Sequence, residues 1–446
     1  MNLALLGAVC FGIALLLFLI LKLKLPAFIA LLTSSIATAL MAGMDPSTVM
    51  ETVKNGMGST LGFVATVVGL GAIFGGILEH TGSAQALATF LISKTGESRA
   101  PIALALAGFL VSIPVFFDVG FIILFPLIVG LHQKTGRSLV HYAVPLLAGL
   151  AVSHAFIPPT PGPLAVAEIL GVPLGWIVLA GVIAGLPAAY TGGIWYGKYI
   201  GNRLAVHLPT WFDEKQAAAK VPPVSKVLPI LLLPIVLIVA NTMIDAGLLA
   251  TGRGRIDALL SLFTHPFSAL ILSNVLAWYL LGRSSGLSQA QLADISGKSL
   301  YPAGVIILVT GAGGVFKQVL MDTGAGKAMA EAMQEAGLGI IAFAFLTATA
   351  IRVLQGSATV AMITAAGLVA PLSSGAGYSN LQLGAIAIAI ASGATMVSHL
   401  NDSGFWLVKE FLRLSEKDGM RTWTIASSIV GLTGVIGAAC VFFLGG

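Results

Sequence analysis

Apolar runs of about 20 residues recur from residue 2 to residue 444, separated by charged or Gly/Pro-containing breaks. A helix of about 20 residues crosses the hydrocarbon core of a bilayer, and Gly and Pro mark the ends of such helices. The pattern therefore predicts an all-α integral membrane protein. We place ten crossings at about residues 2–21, 25–43, 61–79, 141–160, 175–197, 227–247, 266–282, 301–321, 383–400 and 423–444.

Two further apolar stretches, residues 101–131 and 337–371, are too long for one crossing and carry polar or Gly/Pro-containing clusters near their middle. We interpret each stretch as a re-entrant hairpin. Non-helical backbone at membrane depth is tolerated only where protein buries it or where it lines a wet cavity. The two hairpins are therefore candidates for a functional site.

Composition agrees with a membrane protein, because 57% of the residues are hydrophobic and only 9% are charged. The first apolar run lacks the basic segment and cleavage site of a signal peptide, so we expect a retained span. Cys10 and Cys440 have no metal-ligand or redox spacing, and we expect neither a metal ion nor another cofactor. The net charge of +5 comes from cations spread between apolar runs, so no nucleic-acid partner is expected.

The distribution of cations predicts the orientation of the chain, since Lys and Arg collect in cytoplasmic loops. With residue 1 outside, 17 of the 23 Lys and Arg residues lie on the inner side and 5 on the outer side, and Arg352 lies within a hairpin. This distribution predicts that both termini are outside.

The two halves of the chain resemble each other. Residues 69–84 align with residues 311–326 at an offset of 242, and the same offset relates the crossings at 141–160 and 383–400. Under the predicted orientation the copies run in opposite directions, which is the usual architecture of secondary transporters. We assign a first inverted repeat to residues 1–197 with a broken helix at about 141–163, a cytoplasmic linker to 198–226, and a second repeat to 227–446 with a broken helix at about 383–406.

Four segments put polar groups at membrane depth, namely residues 112–121, 153–163, 352–361 and 398–406. We expect them to meet at the midplane, because lipid cannot satisfy their backbone groups. The prolines of the second segment must unwind its helix, and a helix that resumes there presents an N-terminus suited to an anion. The candidate substrate-binding residues are Ser153, His154, Thr160, Gly162, Gln355, Gly356, Ser357, Thr359, Ser398, His399, Asn401, Asp402 and Ser403.

Asp118, His154 and His399 are the candidates for proton coupling. A carboxylate within an apolar hairpin is costly unless it is paired or protonated, so Asp118 could carry a proton; the alternative is a capping residue at the turn. Asp402 is interpreted as a binding residue that also caps a helix. Each histidine follows a serine and precedes a break, which is compatible with proton transfer or with a supporting hydrogen bond.

Arg352 is the cation that we place at membrane depth. One interpretation is a side chain that anchors the hairpin base by extending to the membrane surface. The other is a bidentate partner for a substrate carboxylate or for Asp402.

At these segments the chain resembles the gluconate:proton symporter (gluconate permease) family. The matching text is VFFDVGFIIL, HAFIPPTPGP, GSATVA and NDSGFW, spread over both halves. The resemblance implies a transporter in the bacterial inner membrane that imports a small hydroxy-carboxylate, such as gluconate, glycerate, a hexuronate or D-serine, by proton symport. It also implies an elevator-like movement of the hairpin-containing part, usually within a homodimer. Thr160 departs from the family pattern, which has histidine at that position.

Three other functions remain in view. A sodium-coupled carboxylate carrier is an alternative, because hairpin carbonyls and hydroxyls can also bind sodium. An intramembrane hydrolase would need Ser153 and His154 to act together, but adjacent residues do not generally direct their side chains at each other and no acid completes a triad. A passive channel would not need two broken helices with ionisable groups. We therefore expect a transporter and not an enzyme.

Overall fold

A computed structural model describes residues 3–206, 222–249, 254–335 and 337–446, and within these ranges it contains helices and no strand. The predicted linker lies largely at residues 207–221, outside the described residues. The first half contains α1 (Leu3–Leu21), α2 (Ala27–Met41), α3 (Pro46–His80), α4 (Ser83–Thr95), α5 (Ala100–Val111), α6 (Phe117–Thr135), α7 (Leu139–Phe156), α8 (Pro161–Leu170), α9 (Leu174–Ala189) and α10 (Tyr196–Gly201).

Among the described residues, the second half of the chain has eleven α-helices. It contains α11 (Val224–Asp245), α12 (Gly254–Thr264), α13 (Pro266–Leu276), α14 (Gln289–Asp322), α15 (Ala325–Glu335), α16 (Ile340–Gln355), α17 (Ala358–Ser373), α18 (Asn380–Thr395), α19 (Ser403–Phe411), α20 (Glu416–Gly419) and α21 (Ile425–Leu444). Short π-helical stretches follow α9, α13 and α20, at Tyr190–Trp195, Ala277–Gly282 and Met420–Thr424.

Within the described ranges, eight helical segments are long and apolar enough to cross a membrane, and a ninth results if the pair bent by 57° between α12 and α13 is one span. These segments do not match the ten predicted crossings one to one. The predicted crossings at 25–43 and 383–400 are the shorter helices α2 and α18. Conversely, α6 is long enough to cross by itself, although its residues belong to the predicted hairpin 101–131.

The polar ends of the long helices explain where the predicted boundaries fail. Helix α14 begins twelve residues before the predicted crossing at 301–321, because Ser288 and Gln291 form a capping box: the Ser288 Oγ accepts from the Gln291 amide at 3.2 Å, and the Gln291 Oε1 accepts from the Ser288 amide at 2.9 Å. Asp45 similarly caps α3 by accepting from the Ser47 amide at 2.8 Å. A hydropathy window detects only the apolar part of such a helix.

Helices α3 and α14, which align in the sequence, pack against each other in opposite directions. Thr52, early in α3, donates to Asp322 at the end of α14 at 3.1 Å. Further along, Gly56 faces Gly314, and Gly76 near the end of α3 faces Ser299 early in α14. In a membrane the hydrophobic effect does not drive helices together, so their association depends on close packing. Small residues allow the two backbones to approach closely. On the α3 side, this antiparallel pair packs against the first break described below, where Gly71 faces the Pro159 carbonyl.

Four short non-helical segments lie where the sequence predicts tips and breaks. The first tip (residues 112–116) separates α5 from α6, and the second tip (356–357) separates α16 from α17. The first break (157–160) separates α7 from α8, and the second break (396–402) separates α18 from α19. In each half the first arm of the helix pair packs closely on the helix that leads to the break, with Gly149 against the Ala105 carbonyl and Gly393 against the Phe345 carbonyl.

Candidate functional site

A cavity of about 420 Å³ lies between both tips and the second break. Eleven of the predicted site residues line it, and they come from α6, α7, α16, the second tip, α17, the second break and α19. These residues are Asp118, His154, Arg352, Gln355, Gly356, Ser357, Thr359, Ser398, Asn401, Asp402 and Ser403. Most of the predicted polar groups therefore share one space.

Three helices begin at the wall of this cavity, namely α6, α17 and α19. Ser357 caps α17 by accepting from the Val360 amide at 3.4 Å, and Asp402 caps α19 by accepting from the Gly404 amide at 3.1 Å. The first amides of a helix lack intrahelical partners and carry a partial positive charge. This arrangement suits a carboxylate. The sequence also predicts that α8, the helix that resumes after the first break, presents its N-terminus to the site, but the start of α8 does not line the cavity.

Arg352 and Asp402 form a buried ion pair in which the two side chains are 5% and 13% exposed. The guanidinium also donates to the Gly356 carbonyl, and the Ser398 hydroxyl donates to the Asp402 carboxylate. Arg352 lies in the last turn of α16, beside the tip. It therefore does not extend to the membrane surface, and its partner in the structure is Asp402.

The second tip is joined to the second break by further polar contacts. The Asn401 amide and a His399 ring nitrogen lie 2.8 and 3.1 Å from the same Val353 carbonyl oxygen. Gly356 has φ +90°, and a Cβ there would lie 2.2 Å from the Asn401 carbonyl oxygen. Only glycine fits both the backbone conformation and the close approach.

The first half contributes Asp118 and His154. Asp118, in the first turn of α6, is exposed to the cavity, and within the described residues its carboxylate has no hydrogen bond or ion pair at contact distance. The His154 ring lies 5.9 Å from the Phe116 ring, and its buried Nδ1 has no partner in the part of the chain that is described. With Arg352 balancing one of the two carboxylates, the lining carries one net negative charge when Asp118 is ionised and His154 is neutral.

Four predicted site residues lie outside this cavity. Ser153 is fully buried in α7, and His399 turns toward Val353. The Thr160 hydroxyl donates to the Ile157 carbonyl at 2.6 Å within the first break, and Gly162 packs against Met362. Thr160 instead lines a void of about 10 Å³ against α3.

Sequence reasoning missed the aromatic lining of the cavity. Phe117 and Trp423 stack with ring centroids 5.4 Å apart, and both line the cavity together with Phe116. Phe116 and Phe117 directly precede the predicted Asp118, but nothing in the sequence brings Trp423, at the start of the last crossing, to the same place. Among the described residues, no group of three or more His, Cys, Asp or Glu side chains could hold a metal ion.

Comparison with known proteins agrees with this architecture over nearly the whole chain. The chain is 39% identical over 434 residues to the low-affinity gluconate transporter of Escherichia coli K12, with 97% of each chain covered. It is 33% identical over 435 residues to the Gnt-II system L-idonate transporter of the same organism, with 96% and 97% covered.

Among solved structures, the YdaH transporter of Alcanivorax borkumensis has a similar fold, with a TM-score of 0.67 at 17% identity over 94% of this chain and 97% of that chain. The family model of the GntP family permeases matches residues 3–444 of this chain. The aligned relatives are named as transporters and permeases, not as enzymes. The chain is therefore a multi-pass membrane protein that belongs to the GntP permease family.

Proposed function

We propose that the protein is a secondary active transporter that imports a gluconate-like hydroxy-carboxylate by proton symport across the bacterial inner membrane. The observation that carries this proposal is one cavity lined by three helix N-termini and by Asp118, whose carboxylate has no ion-pair partner among the described residues. Relatives named for gluconate and L-idonate, which are both polyhydroxylated acids, support this class of substrate.

The substrate carboxylate would bind at the starts of α17 and α19, where amides carry partial positive charge. Its hydroxyl groups would bind the uncharged polar side chains of Gln355, Ser357 and Thr359, which line the same wall. Phe117 and Trp423 would contact the carbon skeleton. Because Arg352 is already paired with Asp402, its role would be to hold the second tip rather than to bind the substrate directly.

Proton coupling follows from the charge of the cavity. An anion entering a lining with one net negative charge is repelled, and a proton on Asp118 removes that charge. Each ligand therefore favours binding of the other, as linkage requires. His154 is a candidate to relay the proton, because it lines the same cavity.

Alternating access would move the hairpin-containing part, with the tips and breaks, against a scaffold built around α3 and α14. Two observations support inverted repeats: α3 and α14 are antiparallel, and Thr191 bonds Thr433 at 2.8 Å across the offset of 242 that relates the halves. A contact between equivalent residues is what a two-fold axis produces. We extend the proposal to a homodimer with both termini outside.

Uptake of radiolabelled gluconate and L-idonate into proteoliposomes tests the function. With an inward proton gradient, we expect accumulation above the external concentration that is abolished by a protonophore. Accumulation driven by a sodium gradient alone would identify the sodium-coupled alternative. Equilibration without accumulation would identify a passive channel and would contradict the proposal.

A further inference from the structure

A second cavity of about 410 Å³ lies next to the candidate substrate cavity. Its wall is formed by the end of α3, the beginning of α14 and the first tip, and it contains the polar side chains of Glu79, His80 and Lys298. Because α3 ends at His80 and α14 begins at Gln289, this cavity lies toward one membrane surface. By the distribution of cations, that surface is the cytoplasmic one.

Phe116 is the residue that the two cavities share. Of these two cavities, its neighbour Phe117 lines the substrate cavity alone, whereas Pro114 and Val119 line the second cavity alone. The Phe116 side chain is half-buried. One aromatic ring at the first tip therefore stands between two spaces that are each large enough for a small solute.

The two tips are held very differently. The second tip is tied to the second break by the ion pair and hydrogen bonds around Arg352 and Val353. At the first tip, the hydrogen bonds found within the described residues stay inside its own helix pair: the Ser112 hydroxyl donates to the Val115 carbonyl at 2.9 Å, and the Val115 amide to the Val111 carbonyl at 3.2 Å. The first tip can therefore move without breaking hydrogen bonds to its surroundings.

The surface beneath the first tip permits such a movement. The Pro114 carbonyl lies against Gly75 of α3, where a Cβ would be 2.2 Å from the oxygen. One turn earlier, Gly71 faces the Pro159 carbonyl of the first break at 3.4 Å. At Gly75 and Gly71, backbone carbonyl groups therefore pack against a face of α3 that has no side chain. No side chain of α3 interlocks with the first tip or the first break at these two positions.

We propose that the first tip is the gate of the transport path, with Phe116 as the barrier between the substrate cavity and the second cavity. The second cavity is the passage by which a small hydroxy-carboxylate reaches the cytoplasmic surface. The second tip and the second break stay joined to each other and form the side of the binding site that does not open. This inference rests on the proposed function.

Leakage of solute tests the barrier. Proteoliposomes that are loaded with gluconate and have no pH gradient or membrane potential are compared for the native protein, Phe116→Leu and Phe116→Ala. We expect passive efflux to rise as ring volume is removed, by about tenfold for alanine, which corresponds to a barrier lowered by about 1.4 kcal/mol. Phe117→Ala removes an aromatic ring of the same size, but this ring lines the substrate cavity and not the second cavity. This variant should weaken uptake without increasing efflux. Equal efflux from Phe116→Ala and Phe117→Ala would overturn the proposal.

A labelling experiment tests the same gate without relying on transport. In a Cys10→Ser/Cys440→Ser background, Val119→Cys places a thiol in the second cavity, and a charged, membrane-impermeant thiol reagent is added to either side. With Phe116 intact we expect modification from one side only, and with Phe116→Leu or Phe116→Ala from both sides. One-sided labelling in both variants would contradict the barrier. If the native protein accumulates no gluconate, the proposed function fails, while the labelling pattern still decides whether Phe116 is a barrier.

Discussion

The guanidinium of Arg352 donates to the carboxylate of Asp402 across 50 residues of sequence, and this pair joins the second tip to the second break. Removing one partner leaves a buried, uncompensated charge. We expect Arg352→Ala and Asp402→Ala each to lower the free energy of unfolding by about 3–5 kcal/mol and to abolish uptake. Thermal and chemical unfolding in detergent measure the loss.

A double-mutant cycle distinguishes the pair from two independent sites. The double variant Arg352→Ala/Asp402→Ala should be less destabilised than the sum of the two single variants, because no charge is left unpaired. The exposed pair Lys409–Glu410, at 2.7 Å, is the matched control: Lys409→Ala should cost less than about 1 kcal/mol. Additive losses at Arg352 and Asp402 would show that the ion pair does not couple them.

Gly356→Ala should disturb the site more than its size suggests. The positive φ costs a residue with a Cβ about 1–2 kcal/mol, and the new carbon would overlap the Asn401 carbonyl oxygen. We expect reduced stability and a loss of substrate binding, measured by thermal shift with gluconate. Gly130→Ala in α6, where a Cβ meets nothing within 4 Å, is the control and should keep both. Normal binding by Gly356→Ala would show that the tip can shift without consequence.

Asp118→Asn should separate substrate movement from proton movement. The amide is always uncharged, so the cavity no longer needs a proton before an anion enters. We expect exchange of internal for external gluconate to continue while accumulation driven by a pH gradient is lost. Asp45→Asn, at an exposed helix cap, should retain full accumulation. Unchanged gradient-driven uptake by Asp118→Asn would remove this residue from the coupling mechanism.

Thr160→Val should affect stability rather than substrate affinity. The hydroxyl donates within the first break to the Ile157 carbonyl and does not line the substrate cavity. Leaving that buried acceptor unpaired should cost about 1–3 kcal/mol, while the KM for uptake stays within the error of the native value. A large rise in KM at unchanged stability would return Thr160 to the binding site.

The sequence predicts the four non-helical segments well, because proline, glycine and polar residues at membrane depth leave a strong signal. It predicts less well which of them face the cavity. Ser153-His154 and Ser398-His399 look equivalent, yet α7 continues to Phe156 and keeps His154 on a helix, whereas α18 ends at Thr395 and leaves His399 in the second break. A difference in helix length redirects the side chain.

Contacts between distant helices are harder to predict from the sequence. The sequence allows Arg352 to be an anchor at the base of a hairpin or a partner of a substrate carboxylate or of Asp402, and only its position beside the second tip, next to Asp402, favours the ion pair. In the sequence, Trp423 is one aromatic residue within an apolar run, with no sign of a functional role. Its stacking on Phe117 depends on how the last crossing packs. Helix and break positions are local properties, whereas these contacts depend on tertiary packing.

Because Arg352 is paired with Asp402, none of the described residues that line the substrate cavity offers a free full positive charge. A bound anion would be held by amide dipoles, whose attraction is small and fades within a turn of helix. A free guanidinium at the same position would bind a carboxylate more tightly and release it more slowly. A carrier has to release its substrate in every transport cycle. Pairing Arg352 with Asp402 therefore favours rapid turnover over tight binding of the substrate.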